Sequence, residues 1–90
     1  MKGTIHSHIT LTLESGQHYA TYEVETTWER PRKTRHSFET TVYRVLPSGE
    51  RRVDPTFMEF LEIEGCKSGI ARSMRDATQS HHRAIVVITG

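Results

Sequence analysis

An α+β domain is the architecture that the sequence predicts: an antiparallel β-meander of three or four strands, followed by one or two short helices and a C-terminal buried strand. Three observations predict it. Apolar and polar residues alternate from Ile5 to Leu13, from His18 to Trp28 and from Arg35 to Leu46. Turn-forming residues, Ser15-Gly16 and Pro47-Ser48-Gly49, fall at the ends of these runs, and helix signals begin only after Asp54. Alternation with period two sends successive side chains to opposite faces of a strand, and glycine or proline clusters between such runs mark hairpins.

The first hairpin can be read to its register. With Ser15 and Gly16 at the centre of a two-residue loop, Glu14 faces Gln17, His8 faces Glu23 and His6 faces Glu25. Ile5, Ile9, Leu11, Leu13, Ala20, Tyr22, Val24 and Trp28 then share the face that meets the core. Thr4, His6, His8, Thr10, Thr12, Tyr19, Thr21, Glu23, Glu25 and Thr27 share the face that meets water.

Glu29-Arg30-Pro31-Arg32-Lys33-Thr34 breaks the alternation, because proline lacks a ladder donor and clustered charges resist burial, so it reads as an exposed basic loop. After the strand from Arg35 to Leu46 and the turn at 47–49, a short strand spans Glu50 to Val53. Asp54-Pro55 opens a helix, with aspartate as cap and proline preset at the first position. Phe57, Phe60, Leu61 and Glu64 follow at helical spacing, although a strand over Phe57–Ile63 competes, and Gly65 ends either element. From Ser68 to about His82 an amphipathic helix is expected, with Ile70, Met74, Ala77 and His81 on one stripe and Arg72, Arg75, Gln79 and His82 opposite. Ala84-Ile85-Val86-Val87-Ile88, apolar throughout, reads as a strand covered on both faces.

Ninety residues suit one domain, 1–90, with a core too thin for an ordinary catalytic cleft. A chain of this size buries roughly 60–65% of its unfolded surface, which favours a homodimer or a permanent partner. The single cysteine, Cys66, excludes an internal disulfide and points to a reducing, cytoplasmic setting. Neither a signal core at the N-terminus nor an apolar stretch of about 20 residues is present, so no membrane role is expected. Net charge is only +1, but its distribution is uneven: Arg30, Arg32, Lys33 and Arg35 crowd one stretch, and Asp54, Glu59, Glu62 and Glu64 another.

Three constellations could carry chemistry. The run Cys66-Lys67-Ser68-Gly69-Ile70-Ala71-Arg72-Ser73 resembles, over these eight residues, the C-x5-R-[ST] signature loop of cysteine-dependent phosphatases. The resemblance implies Cys66 as nucleophile, Arg72 as phosphoryl clamp and Ser73 as leaving-group helper, with Asp54 or Asp76 open as general acid. Gly65 stands where that family usually has histidine. The competing reading is a buried loop thiol, with Ser68 capping a following helix.

The second constellation is His6, His8, Glu23 and Glu25, brought onto one wet face by the hairpin register. Imidazole and carboxylate suit a divalent metal, but a flat sheet face encloses one poorly, so cross-strand pairing is the preferred reading and no metal or cofactor is expected. His81-His82 reads as a helix end. The third is basic: the 30–35 loop, Arg51-Arg52, and Arg72, Arg75 and Arg83, with Trp28, Tyr19 and Tyr43 as the aromatics available for stacking.

Without convergent groups in a shielded pocket, a binding role is favoured over an enzymatic one. In size and make-up the chain resembles the small inhibitors that phages and mobile elements encode, anti-CRISPR proteins among them, and that resemblance implies a host nucleoprotein complex as partner. Arg30, Arg32, Lys33 and Arg35, or Glu59, Glu62 and Glu64, would then contact it. The alternatives are a nucleic-acid-binding domain using the basic loop with Arg51, Arg52, Arg72 and Arg75, and a small phosphatase-like protein using Cys66 to Arg72.

Overall fold

Strand β1 (Lys2–Thr12) folds back along β2 (His18–Glu29), and β2 along β3 (His36–Val45), in an antiparallel meander. The computed structural model describes residues 2–30, 36–71 and 74–90, so Arg32, Lys33, Arg35, Arg72 and Ser73 lie outside the described residues. The free edge of β3 is shared by two short strands: β4 (Arg51–Val53) pairs with residues 43–45, and a fifth strand, β5 (Ser68–Ala71), with residues 36–39. Helix α1 (Pro55–Glu64) lies between these two strands in sequence, and helix α2 (Met74–Thr89) ends the fold. Helix α2 crosses β1, β2 and β3, while α1 packs on β3 and α2, so the described elements share one core.

The hairpin register is the expected one, reached by a different turn. Leu13 N–H donates to the Gln17 carbonyl at 2.8 Å and Gly16 N–H to the Leu13 carbonyl at 2.8 Å, which makes Glu14-Ser15-Gly16 a three-residue loop. Gly16 takes φ 84°, the left-handed conformation such loops need at their last residue. A bulge absorbs the extra residue: Thr12 pairs with His18 but Leu11 with Ala20, leaving Tyr19 between them. Beyond it His8 faces Glu23 and His6 faces Glu25.

The predicted inner face is the buried one. Ala20, Tyr22 and Val24 are buried, with Ile9 and Leu11 packed partly against them, whereas Leu13, past the last pair, is 48% exposed. Val42 of β3, Leu61 of α1, Cys66, and Ala84 and Ile88 of α2 complete the core, and the rings of Phe57 and Tyr22 stand perpendicular with their centres 5.1 Å apart. Each fully buried valine or leucine contributes about 1.5–3 kcal/mol.

Helix α1 settles residues 55–64 as helical. Asp54 accepts Phe57 N–H at 3.0 Å, Pro55 starts the first turn, and after Gly65 the Cys66 N–H reaches back to the Leu61 carbonyl at 3.0 Å. The helix buries Leu61, but Phe60 is 47% exposed.

Two segments differ from expectation. Residues 68–71 form a strand rather than the start of a helix: β4 covers only the last three residues of β3, and β5 pairs along its first four. Gly69 permits this, since a Cβ there would meet the Phe38 ring at 3.1 Å. Ala84–Ile88 is not a C-terminal strand but the last turns of α2. Ala77, His81, Ala84 and Ile88, spaced four, three and four apart, are buried, while Val86 stays 53% exposed. The apolar run therefore continues the helix's own stripe, and neither glycine nor proline interrupts it before Gly90.

Candidate functional site

The outer face of the sheet carries the densest polar cluster, built by the registers of three strand pairs. His8, Glu23 and Tyr43 lie side by side across β1, β2 and β3, as do His6, Glu25 and Thr41. Strand β4 adds Arg51, opposite Val45. The Arg51 guanidinium donates to Glu23 at 3.2 Å and to Glu25 at 3.3 Å, and stands 4.3 Å above the centre of the Tyr43 ring. Both imidazoles reach Glu23 at 3.6 Å, His6 through Nε2 and His8 through Nδ1.

Glu23 is the best shielded of the cluster's ionisable groups that pair with one another. Burial alone would raise its carboxyl pKa, but the hydrogen bonds from Arg51 and His6 and their charges hold it below the usual carboxylate range. Arg51 is in turn held protonated by Glu25 first and Glu23 second. The alternation brought His6, His8, Glu23 and Glu25 together, as the structure does; it missed Arg51 and Tyr43. Only the length of the 47–49 turn, with Leu46 N–H on the Glu50 carbonyl at 2.8 Å, could have placed Arg51 there. Between Glu23 and Glu25 sits a guanidinium where a metal ion would need to be, and among the described residues no group of three or more His, Cys, Asp or Glu could hold a metal.

Further along the same face stand Glu29, paired with Ser37 and facing Lys2, and Glu39, paired with Thr27. The described strands thus present four glutamates, Glu23, Glu25, Glu29 and Glu39, against Lys2 and Arg51. Helix α1 extends the acidic character elsewhere: Glu59, Glu62 and Glu64 are exposed beside the exposed Phe60 and Ile63, and Glu64 accepts from Arg83 at 2.9 Å.

Among the described residues, the basic side chains do not merge into one patch. Arg51 is engaged on the acidic face, Arg52 lies 3.6 Å from Glu50, and Arg83 is on Glu64. Arg30, just after β2, is half-buried, the other cations of the 30–35 stretch lie outside the described residues, and so does the Arg75 side chain. Arg44 and Arg52 are cross-strand partners that line a cleft of about 820 Å³ together with His18, Tyr19, Asp54 and Thr56.

On the inner face a second polar cluster has Thr26, Thr40 and His81 buried and Ser7 part-buried at its margin. His81 sits in the middle of α2, not at a helix end as its sequence position suggested. Its Nδ1 is 2.8 Å from Thr26 Oγ1, its Nε2 is 2.8 Å from Ser7 Oγ, and Thr26 Oγ1 is also 2.8 Å from Thr40 Oγ1. Burial, followed by the charges of His6 and His82, lowers the His81 pKa, so a neutral imidazole donates through one nitrogen and accepts through the other.

Cys66 is buried, and burial pushes its thiol pKa up against the smaller opposing effect of Arg83. The residues after it extend as β5 along β3, and Thr40 N–H donates to the Lys67 carbonyl at 2.7 Å. The phosphatase resemblance implies an ionised thiol and a loop of N–H groups closing around an anion; here the thiol is held protonated and residues 68–71 are a paired strand. Ser68 accordingly begins a strand and caps no helix. No helix among the described residues is long and apolar enough to cross a membrane. Compared with family models, with curated proteins and with solved structures, the chain matches none.

Proposed function

We propose that the chain is a non-enzymatic binding protein that lays the outer face of its sheet on a macromolecular partner, a protein or a nucleoprotein complex. One observation carries the reading: Arg51 is locked between Glu23 and Glu25 over Tyr43, so the face offers a prearranged arginine and tyrosine ringed by carboxylates. Arginine and tyrosine are the side chains that most often anchor interfaces, and holding them in place beforehand lowers the ordering cost of binding. The excess of glutamates fits a basic partner surface, and a carboxylate-rich face can compete with phosphate for it. An inhibitor of a host nucleoprotein complex, of the kind phages and mobile elements encode, is the form of this reading we favour. The buried free thiol of Cys66 suits a reducing cytoplasm.

A test compares partners retained from a lysate by the wild type and by Glu29→Lys/Glu39→Lys, two outer-face reversals away from the Arg51 cluster. Loss of the retained complex with the fold intact is the expected result; the same complex bound equally well after reversal would sink the proposal. Nucleic-acid binding is a second reading, favoured by the Arg44–Arg52 pair beside exposed Tyr19. It predicts instead a gel shift that weakens steeply with salt.

A further inference from the structure

The two edges of the sheet are finished differently. The β3 edge ends in β4 and β5, three and four residues long, and β4 is two-thirds arginine. Short, charged edge strands are how β-proteins discourage unwanted pairing. The opposite edge is β1, eleven residues long, and among the described residues no strand pairs with its outer side. From Gly3 to Leu13 it contains no Lys, Arg, Asp, Glu or Pro, and its single irregularity falls at the Leu11/Thr12 end. Its inward residues Ile5, Ile9 and Leu11 are only half-buried, because β2 covers them on one side alone.

We propose that β1 is a homodimer interface, on which a second copy of this chain pairs antiparallel through its own β1. A neighbour that keeps its apolar side chains with the helices must set odd residues opposite odd ones. The register that uses the whole strand is centred on Ser7, the midpoint of Lys2–Thr12. It sets Ile5 of each copy against Ile9 of the other, and Thr4 against Thr10, both favourable β-branched pairs. Ser7 meets Ser7 at the two-fold axis, and its hydroxyl is already satisfied by His81 at 2.8 Å, so the axis buries no unmet polar group. No Lys, Arg, Asp or Glu opposes its like: Lys2 falls beside Thr12, and His6 falls beside His8, each imidazole lying 3.6 Å from the Glu23 carboxylate of its own copy. The dimer joins two meanders into one sheet with a continuous helical layer. A second copy fits this edge better than an unrelated strand because the pairing is self-complementary at every one of these positions. The inference does not rest on the proposed use of the outer face.

Sedimentation equilibrium on the wild type and two double variants tests it, with circular dichroism to confirm the fold. Thr4 and Thr10 are exposed, so charges there leave the monomer intact. The wild type is expected to sediment at twice the monomer mass. Thr4→Lys/Thr10→Lys sets like charges opposite each other twice and weakens the dimer by about tenfold or more, whereas Thr4→Glu/Thr10→Lys sets opposite charges together in this register and restores it. A monomeric wild type, a dimer indifferent to the lysine pair, or a Glu/Lys variant no tighter than the Lys/Lys one would each overturn the proposal.

Discussion

On the inner face of the sheet, Thr26 Oγ1 lies 2.8 Å from both Thr40 Oγ1 and His81 Nδ1, with all three residues buried; on the outer face, Glu23 and Glu25 share Arg51 at 3.2 and 3.3 Å with water alongside. Both clusters sit on the same strand, β2, and their members on it, Thr26, Glu25 and Glu23, are close in sequence. Alternation alone sends them to opposite environments. The difference teaches that full charges on the wet side hold less of the fold than neutral hydroxyls on the dry side. Exposed ion pairs contribute about 0–1 kcal/mol because water and salt compete for them, whereas a buried hydrogen-bonding group that loses its partner costs about 1–3 kcal/mol.

The largest expected effect therefore comes from the inner cluster. Thr26→Val removes the oxygen shared by Thr40 and His81 while keeping the shape, and urea unfolding should find it about 2–3 kcal/mol less stable. Adding His81→Leu should recover part of that loss, because it removes the stranded imidazole nitrogen, and the Ser7 hydroxyl it frees is only part-buried. A Thr26→Val cost under about 0.5 kcal/mol would break the comparison at its root.

An intermediate effect is expected from pH. The folded pKa of His81 lies below the ordinary histidine value of about 6.5, so between the two the unfolded chain binds the proton more readily. Stability is then full above about pH 6.5 and falls as pH drops toward the folded pKa, with a slope of at most about 1.4 kcal/mol per pH unit for one group. The outer cluster answers in a lower window. Glu23, its pKa depressed, contributes above the ordinary carboxylate range and loses that contribution as pH falls below it. Unfolding curves between pH 7 and 5 should tilt for the wild type and flatten for His81→Leu; equal slopes would mean that His81 titrates as a free imidazole does.

The smallest effect belongs to Arg51. Arg51→Ala should lower stability slightly at low salt and less at high salt, since the guanidinium is exposed and its partners remain solvated. A salt-independent loss of several kcal/mol would reverse the ranking of the two faces.

Much of this comparison is legible in the chain itself, and particular residues explain where legibility stops. His8 opposite Glu23 follows from counting back from a turn, and the count survives even a wrong loop length because the bulge at Tyr19 restores it. Arg51 depends on a second turn and on how far a long side chain reaches across β3, so counting within one hairpin could not find it. His81 stood on the correct stripe, but its partners Ser7 and Thr26 lie 74 and 55 residues away, which no local pattern encodes. Ser68–Ala71 reads by periodicity as the first turn of the following helix, and it is a strand instead, paired with the half of β3 that β4 leaves uncovered.

By itself, the sequence determined the meander, its inner and outer faces and the capped start of α1, because side-chain period, turn residues and an Asp-Pro cap act on near neighbours. Tertiary structure decided the rest: that Ala84–Ile88 winds as helix with Val86 in water, that residues 68–71 join the sheet, and that Cys66 lies buried and protonated. A short apolar run meets either period equally well, and what it packs against chooses between them.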